Sequence, residues 1–472
     1  MADYTRRDFL RAMGAAAAFA AMGKISMASK KPVNSPNIIY IMADDLGYGD
    51  LGCYGQKKIE TPNIDLLAKQ GMRFTQAYAG SSVCAPSRCS LMTGMHNGHN
   101  RVRDNLPDGV WLRPDDVTVA EVLKQAGYKT GAIGKWSLGP PGTWGIPNYQ
   151  GFDYYYGQMN QNQAHFYYPD YVWENDEVVL LQEIVIENEV GKLIGNRGGK
   201  NIFYTHDLYT EKALKFVEDN RENPFFLYLA YTIPHFSDYP NDTPEHFMVP
   251  SDKPYSDKPW PQGAKNYAAM ITRMDKDVGR LMALLKKLGL DSNTLVIFTS
   301  DNGSYKGSPI PIEFFDSNGI YRGGKRDMYE GGIRIPFIAR WKGKIKPGTV
   351  SDHMLAFWDV MPTFAELVGL DSPKNIDGVS FLPTLMGKKQ EQPKYLFWDY
   401  GHIRKTYKRA LRTGNYKGVS ITGQPFELYN LKKDPGETTN IAEKHPKIVK
   451  KIKTYMVEAR GDSKDYPLRE LP

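Results

Sequence analysis

Cysteine is scarce in this chain: Cys53, Cys84 and Cys89 are the three in 472 residues. That is too few for a disulfide framework. Cys53 and Cys89 can pair or stay buried, and nothing in the sequence chooses between the two. Long apolar runs are missing as well. The alanine-rich stretch 14–22 is too short and too weakly apolar to cross a bilayer stably. Charge of one sign is also lacking. Lys and Arg number 60 against 53 Asp and Glu, a formal net charge of +7. Such a mild basic bias is compatible with an anionic substrate. No basic module interleaved with aromatics is found, so no nucleic-acid partner is expected. Apart from the alanines near the start, no internal repeat or low-complexity tract stands out.

What is present begins with Thr5-Arg6-Arg7-Asp8-Phe9-Leu10, ahead of the alanine run and Lys24. A twin arginine before a mild apolar stretch reads as a Tat-type signal peptide, here over residues 1–28. Ser26-Met27-Ala28 offers a small-residue cleavage site, so the mature chain is expected to start near Ser29. Removing the leader takes away four basic and two acidic side chains and lowers the net charge from +7 to +5. The expectation is export through the Tat translocon to the periplasm or the extracellular space.

Short apolar runs at 37–42, 129–133, 224–231 and 294–299 read as buried parallel strands. Between them, 63–70, 117–125, 208–219 and 267–288 have helical periodicity. Thr61 and Pro62 before the first helix and Gly71 after it read as a cap, a first-turn proline and a terminating glycine. The alternation predicts an α/β fold, a large mixed but mostly parallel sheet sandwiched by helices. Beyond 370 the character changes. Short strands at 395–400, 409–416 and 427–429 and a basic amphipathic helix at 442–460 predict a small α+β subdomain with a short antiparallel sheet. The expected division is 29–370 for the catalytic domain and 371–472 for this subdomain.

The polar residues after each strand matter most. Asp44 and Asp45 follow the first, Lys135 the second, His235 the third, and Asp301 and Asn302 the fourth. In open α/β sheets ligands bind at the carboxyl ends of the strands, so these groups are expected to converge in one crevice. Asp44, Asp45, Asp301 and Asn302 offer oxygen donors, and neighbouring carboxylates repel unless a cation neutralises them or one takes a proton. Hard oxygen ligands favour Ca²⁺ or Mg²⁺ over zinc. Asp50, close by, reads as structural.

Residues 84–94 read C-A-P-S-R-C-S-L-M-T-G. A cysteine just before a helix is often a small buried hydrophobe or a low-pKa thiolate. Only three residues separate Cys84 from Arg88, fewer than a phosphotyrosine-phosphatase loop requires. The stretch resembles the C-x-P-S-R-x-x-x-x-T-G signature of the type I sulfatases, a family within the alkaline phosphatase superfamily. Further likenesses are Y-E-G-G-I-R-I-P at 329–336 and L-Y-N-L-K-K-D-P-G-E-T-T-N at 428–440, the latter expected to pack and to form a wall of the substrate pocket.

That resemblance implies that Cys84 is oxidised to formylglycine by a formylglycine-generating or anaerobic sulfatase-maturating enzyme, and that its hydrated aldehyde is the nucleophile. It implies that Asp44, Asp45, Asp301, Asn302 and residue 84 hold one Ca²⁺, in preference to Mg²⁺. Arg88 would stabilise the hydrated aldehyde. Lys135, Lys325 and His235 would clamp the sulfate, and His235 can also protonate the leaving alcohol. The implied activity is hydrolysis of a sulfate ester, on a carbohydrate or another small alcohol.

One position departs from the family pattern. Where G-K-W-H-x-G is usual, residues 134–139 read G-K-W-S-L-G, so Ser137 replaces a histidine. The stretch Q-A-H-F-Y-Y-P at 163–169 resembles one in related bacterial sulfatases that lack that histidine. His165 is therefore expected to enter the pocket. The competing readings are a phosphodiester or phosphonate monoester hydrolase of the same superfamily, and a non-catalytic binder of sulfated glycans.

Overall fold

Strand β1, Asn37–Ala43, is apolar on both faces and buried throughout. Successive side chains point to opposite sides of a strand. Ile38, Tyr40 and Met42 accordingly enter one hydrophobic core, and Ile39 and Ile41 enter another. A strand that reads this way can only lie inside a sheet covered on both faces. The computed structural model of the protein describes residues 35–105, 110–187, 190–195, 202–237, 246–308 and 310–467. The signal peptide expected over 1–28 lies outside the described residues. Among them, no helix is long and apolar enough to cross a membrane.

The main sheet has ten strands. In chain order they are β1, β2 (Met72–Phe74), β3 (Lys129–Lys135), β4 (Tyr154–Gln158), β5 (Tyr171–Glu174), β6 (Glu177–Leu180), β7 (Phe225–Ala230), β8 (Thr294–Ser300), β9 (Phe337–Arg340) and β10 (Thr349–Ser351). In space they run β10-β2-β9-β8-β1-β7-β3-β4-β5-β6. The central five, β8 to β4, are parallel, while antiparallel pairings begin at β9 and at β5. The four strands anticipated from apolar runs are thus neighbours at the middle of the sheet. Helices α1 (Pro62–Gln70), α4 (Thr205–Asp219) and α5 (Gln262–Lys287) contribute to one core, and α2 (Cys84–Thr93), α3 (Val119–Gln125) and α6 (Val360–Leu367) to the other.

The chain ends in a four-stranded antiparallel sheet, β11 (Leu396–Tyr400), β12 (Lys408–Thr413), β13 (Tyr416–Ile421) and β14 (Glu427–Asn430). One face packs Trp398, Ala410 and Val419 on Tyr78, Val83 and Ile333. The other packs Phe397, Leu411 and Leu428 on Ile452 and Met456 of α7, Pro446–Glu458. The single strand expected at 409–416 is instead one arm of a hairpin. Gly414, at φ 54°, turns the chain within two residues, a conformation that glycine adopts without steric cost.

The ends of α1 also differ from expectation. Thr61 stands at the N-cap, but its hydroxyl donates to Asp65 at 3.1 Å rather than capping the helix. The free N–H groups of Asn63 and Ile64 donate to the Asp275 carboxylate of α5 at 2.9 and 2.8 Å. Gly71 is not left-handed (φ −134°). Glycine is needed there because a Cβ would lie 2.3 Å from the Ala339 carbonyl of β9. The cap is tertiary, which predicts that Asp275→Ala lowers the unfolding free energy by about 2 kcal/mol, read as a lower urea midpoint with unchanged slope. Thr61→Ala should cost less.

Candidate active site

Helix α2 begins on Cys84 itself, after an extended Val83, and ends at a left-handed Gly94 (φ 69°). Pro86 falls in the first turn, where its missing N–H costs nothing. All ten residues are buried. Two side chains pin the first turn. Asn105 accepts from the Ala85 N–H at 2.9 Å. The Ser87 hydroxyl accepts from the Gly80 N–H at 3.0 Å and donates to the Asp301 carbonyl at 2.5 Å. This ties residue 84 to the end of β8.

The groups expected to converge do so. Cys84 Sγ lies 3.4 Å from Asp44 Oδ1 and donates to it. Arg88 reaches Asp301 Oδ2 through Nε at 3.1 Å and through a terminal nitrogen at 2.8 Å, with its other terminal nitrogen on the Lys135 carbonyl at 2.9 Å. Lys135 Nζ sits 2.6 Å from Asp44 Oδ2 and 3.3 Å from His165 Nε2. Lys325 Nζ is 2.8 Å from Asp45 Oδ1 and 2.9 Å from His235 Nε2. Asn302 Nδ2 donates to Asp45 Oδ1 at 2.7 Å. The His165 and His235 rings stack with centroids 3.8 Å apart. Ser137 holds a positive φ of 68°, and its buried hydroxyl has no partner among the described residues.

Electrostatics assign the protons. Burial, with Asp301 and Asp44 beside it, pushes the Cys84 thiol up to about 12. The side chain is therefore a thiol, not a reactive thiolate. Burial lowers His235 to about 4, more than Asp45 raises it. Its Nδ1 donates to the Phe236 carbonyl, so the neutral ring turns the Nε2 lone pair to Lys325. Burial would lower Lys325, but Asp45 and the carboxylates around it drive its pKa up, and it stays an ammonium. Burial would also raise Asp44, yet Lys135, His235, Arg88 and Lys325 hold it well below the usual carboxylate range. Asp301 moves the other way, raised by burial and by the Asp44 charge. Asp50 accepts from Gly47 N and from the Tyr267 hydroxyl, both at 2.7 Å, and is a buried brace.

The donor set fits a cation. Ligand atoms of Asp44, Asp45, Cys84 and His235 all lie within 4.8 Å of one another. Asn302 Oδ1 is buried without a hydrogen-bond partner. Asp301 is raised by its neighbouring carboxylate, a repulsion that a cation would relieve. The grouping brings in His235, which was expected to contact the ester rather than a metal.

Sequence reasoning missed a buried charge cluster behind the site. Glu330 of the Y-E-G-G stretch pairs with Lys417 of β13 at 2.9 Å, and Lys417 pairs with Glu437 at 2.9 Å, all three fully buried. Glu437 also accepts from the Glu330 N–H. Burial would raise Glu330, but Lys417, Arg334 and Arg412 hold it low. The adjoining glycines nest against the site: Gly303 N–H donates to the Gly332 carbonyl at 3.1 Å, and a Cβ on Gly303 would lie 1.8 Å from the Gly331 carbonyl. So the 428–440 stretch fastens the turn that carries the loop of Lys325. Lys417 lies outside every motif, and only its place as the one charged residue of β13 hinted at a role.

The chain is similar to known proteins over most of its length. Residues 36–370 match the family model described as Sulfatase, and 319–462 match one described as N-sulphoglucosamine sulphohydrolase, C-terminal. The chain is 33% identical to an N-acetylgalactosamine-6-O-sulfatase of Bacteroides thetaiotaomicron, over 88% of this chain and 91% of that protein. It is 34% identical to human arylsulfatase A, over 86% and 83%. The solved structure of Ps i-CgsB in complex with k-i-k-neocarrahexaose superposes with a TM-score of 0.75 at 29% identity, covering 90% of this chain and 92% of that one.

Arg88 spans Asp301, Asp44 and the Lys135 carbonyl with one planar fork, which an ammonium cannot reproduce. Arg88→Lys should therefore cost at least about 2 kcal/mol of stability, seen as a lower thermal midpoint although the formal charge is retained.

Proposed function

The chain belongs to the type I sulfatase family and is a sulfuric ester hydrolase, and we propose that it acts, after export, on a sulfate ester of a carbohydrate. The name of the N-acetylgalactosamine-6-O-sulfatase relative and the k-i-k-neocarrahexaose in a structural neighbour support that substrate class. One observation carries the mechanism. Cys84 sits at the meeting point of Arg88, Lys135 and Lys325, yet its thiol is held near 12. Such a thiol is a poor nucleophile, since the thiolate is the reactive form. Conversion to formylglycine by a formylglycine-generating or anaerobic sulfatase-maturating enzyme would supply a hydrated aldehyde as the oxygen nucleophile.

Asp44, Asp45, Asp301, Asn302 and residue 84 would hold Ca²⁺, a Lewis acid for the sulfuryl oxygens. With residue 84 converted, oxygen donors dominate the set, as a hard cation prefers. Three carboxylates and three fixed cations nearly cancel, so an added divalent ion leaves a positive cavity suited to a sulfate group. Arg88 steadies residue 84 from within α2. Lys135 and Lys325 clamp the sulfuryl oxygens as charge develops. Lys325 holds the proton and neutral His235 accepts its hydrogen bond, so the proton for the leaving alcohol comes from Lys325 Nζ, with His235 orienting it. His165 takes over the part of the histidine replaced by Ser137, contacting the group at 84 from above the His235 ring.

The decisive test is the mass of the peptide carrying Cys84, from protein made with the maturation machinery. A CHO in place of CH₂SH is expected. An unmodified thiol with tight glycan binding and no turnover would instead mark a binding protein. In the mature enzyme, His165→Ala should lower kcat by roughly 10² or more, as loss of a positioned donor does in such sites; unchanged kcat and KM would remove His165 from the mechanism. Chelation should abolish sulfate release, with Ca²⁺ restoring more of it than Mg²⁺. Matched phosphate esters should be far poorer substrates than the sulfates.

A further inference from the structure

We propose that Arg326 forms a second anion subsite at the rim of the active site, binding a carboxylate or a second sulfate on the sugar whose sulfate ester is cleaved; the inference rests on the sulfatase reading above. Arg326 is exposed, while its neighbour Lys325 is buried in the site. Its backbone has φ 75°, a conformation that costs energy for any residue with a Cβ. Strain of this kind persists where the surroundings over-determine it. Here they do. The Arg326 N–H donates to the Ser82 carbonyl just before α2 at 2.9 Å, and its carbonyl accepts from Lys408 Nζ of the C-terminal sheet at 2.9 Å.

The side chain is held ready for an outside partner. The Arg326 guanidinium lies 5.5 Å from the centre of the Tyr305 ring, and Lys325 Nζ lies 5.8 Å from the same ring. One aromatic residue is thus bracketed by the sulfate-clamping cation and by the Arg326 guanidinium. The nearest acid in sequence, Asp327, is already engaged by Lys306 at 2.5 Å, by Lys408 at 3.2 Å and by the Gly324 N–H at 3.3 Å. Among the described residues no carboxylate pairs with Arg326. Tyr305 packs against Phe236 with ring centres 5.7 Å apart, and both line a cleft that reaches Asp45. A pyranose lying on this aromatic wall, with its sulfate at Lys325, would bring a second anionic substituent to Arg326. The planar fork suits a carboxylate or sulfate oxygen pair better than a point charge does.

The test compares kcat/KM for a hexose monosulfate, a hexuronate sulfated at the same position and a hexose disulfate, using mature wild-type enzyme and its Arg326→Ala, Arg326→Lys and Arg326→Gly variants. Wild type should favour a doubly anionic sugar by on the order of ten- to a hundredfold, through KM. Whichever of the two carries the preference identifies the anion. Arg326→Ala should erase most of that ratio, and Arg326→Lys should keep part of it. Arg326→Gly relieves the positive φ, so it should lose the preference with an unfolding midpoint no lower than wild type, which separates recognition from folding. A preference missing in wild type, or one that survives Arg326→Ala or Arg326→Gly, overturns the subsite and leaves the sulfatase reading standing. No sulfate release from any of the three sugars or from 4-nitrophenyl sulfate overturns both.

Discussion

Three carboxylates, Asp44, Asp45 and Asp301, are buried together at the carboxyl ends of two adjacent parallel strands. Much of the site's architecture answers that concentration of negative charge. Buried like charges cannot all ionise unless cations stand beside them, and each carboxylate has its own: Lys135 on Asp44, Lys325 on Asp45 and Arg88 on Asp301. Each of these cations comes from a different part of the chain. The requirement to neutralise the carboxylates therefore draws together the end of β3, the first turn of α2 and the loop before the Y-E-G-G turn. Burial, more than the neighbouring charges, keeps Cys84 a thiol and His235 a neutral ring, and so settles which groups can carry protons.

The C-terminal sheet belongs to this argument although it supplies none of the converging groups. Lys417 is the hub of the buried charge cluster behind the site, and Glu330 and Glu437 close around it. Without an ammonium there, two buried carboxylates would face each other at the base of the turn that steadies residues 321–327. The turn in turn presses on Gly303, one residue beyond Asn302. A buried ion pair followed by close backbone contacts therefore links β13 to both the candidate metal ligands and Lys325. Rigid support of this kind gives a site its precision.

How much of this could be read from the sequence follows from the range of the interactions. The central strands were legible because a strand buried on both faces must be apolar over its whole length, and the polar residues after them were legible because parallel strands end together. Arg88, Lys135 and Lys325 were found through local motifs. Asp275, Asn105 and Lys417 were not, since each acts on a segment distant in the chain and carries no local signature. Thr61 shows the opposite error: a good capping residue in the right place gives way when a buried carboxylate from another helix reaches the same N–H groups. The hairpin at Gly414 was obscured because 409–416 reads as one strand and only two residues separate its first arm from Tyr416, where the second begins.

Ser137 stands where the family motif carries a histidine, on a left-handed backbone (φ 68°), and its buried hydroxyl has no hydrogen-bond partner among the described residues. A histidine side chain reaches the site instead from the 163–165 turn. It also lands where its ring is welcome, because His235 below it is neutral and the stacked pair carries no like-charge repulsion. His165 then shares Lys135 Nζ with Asp44 and meets Gln161 at 3.2 Å, contacts that hold its ring against His235. His165 can reach Lys135 because β3 and β4 are parallel neighbours whose following loops leave the same edge of the sheet.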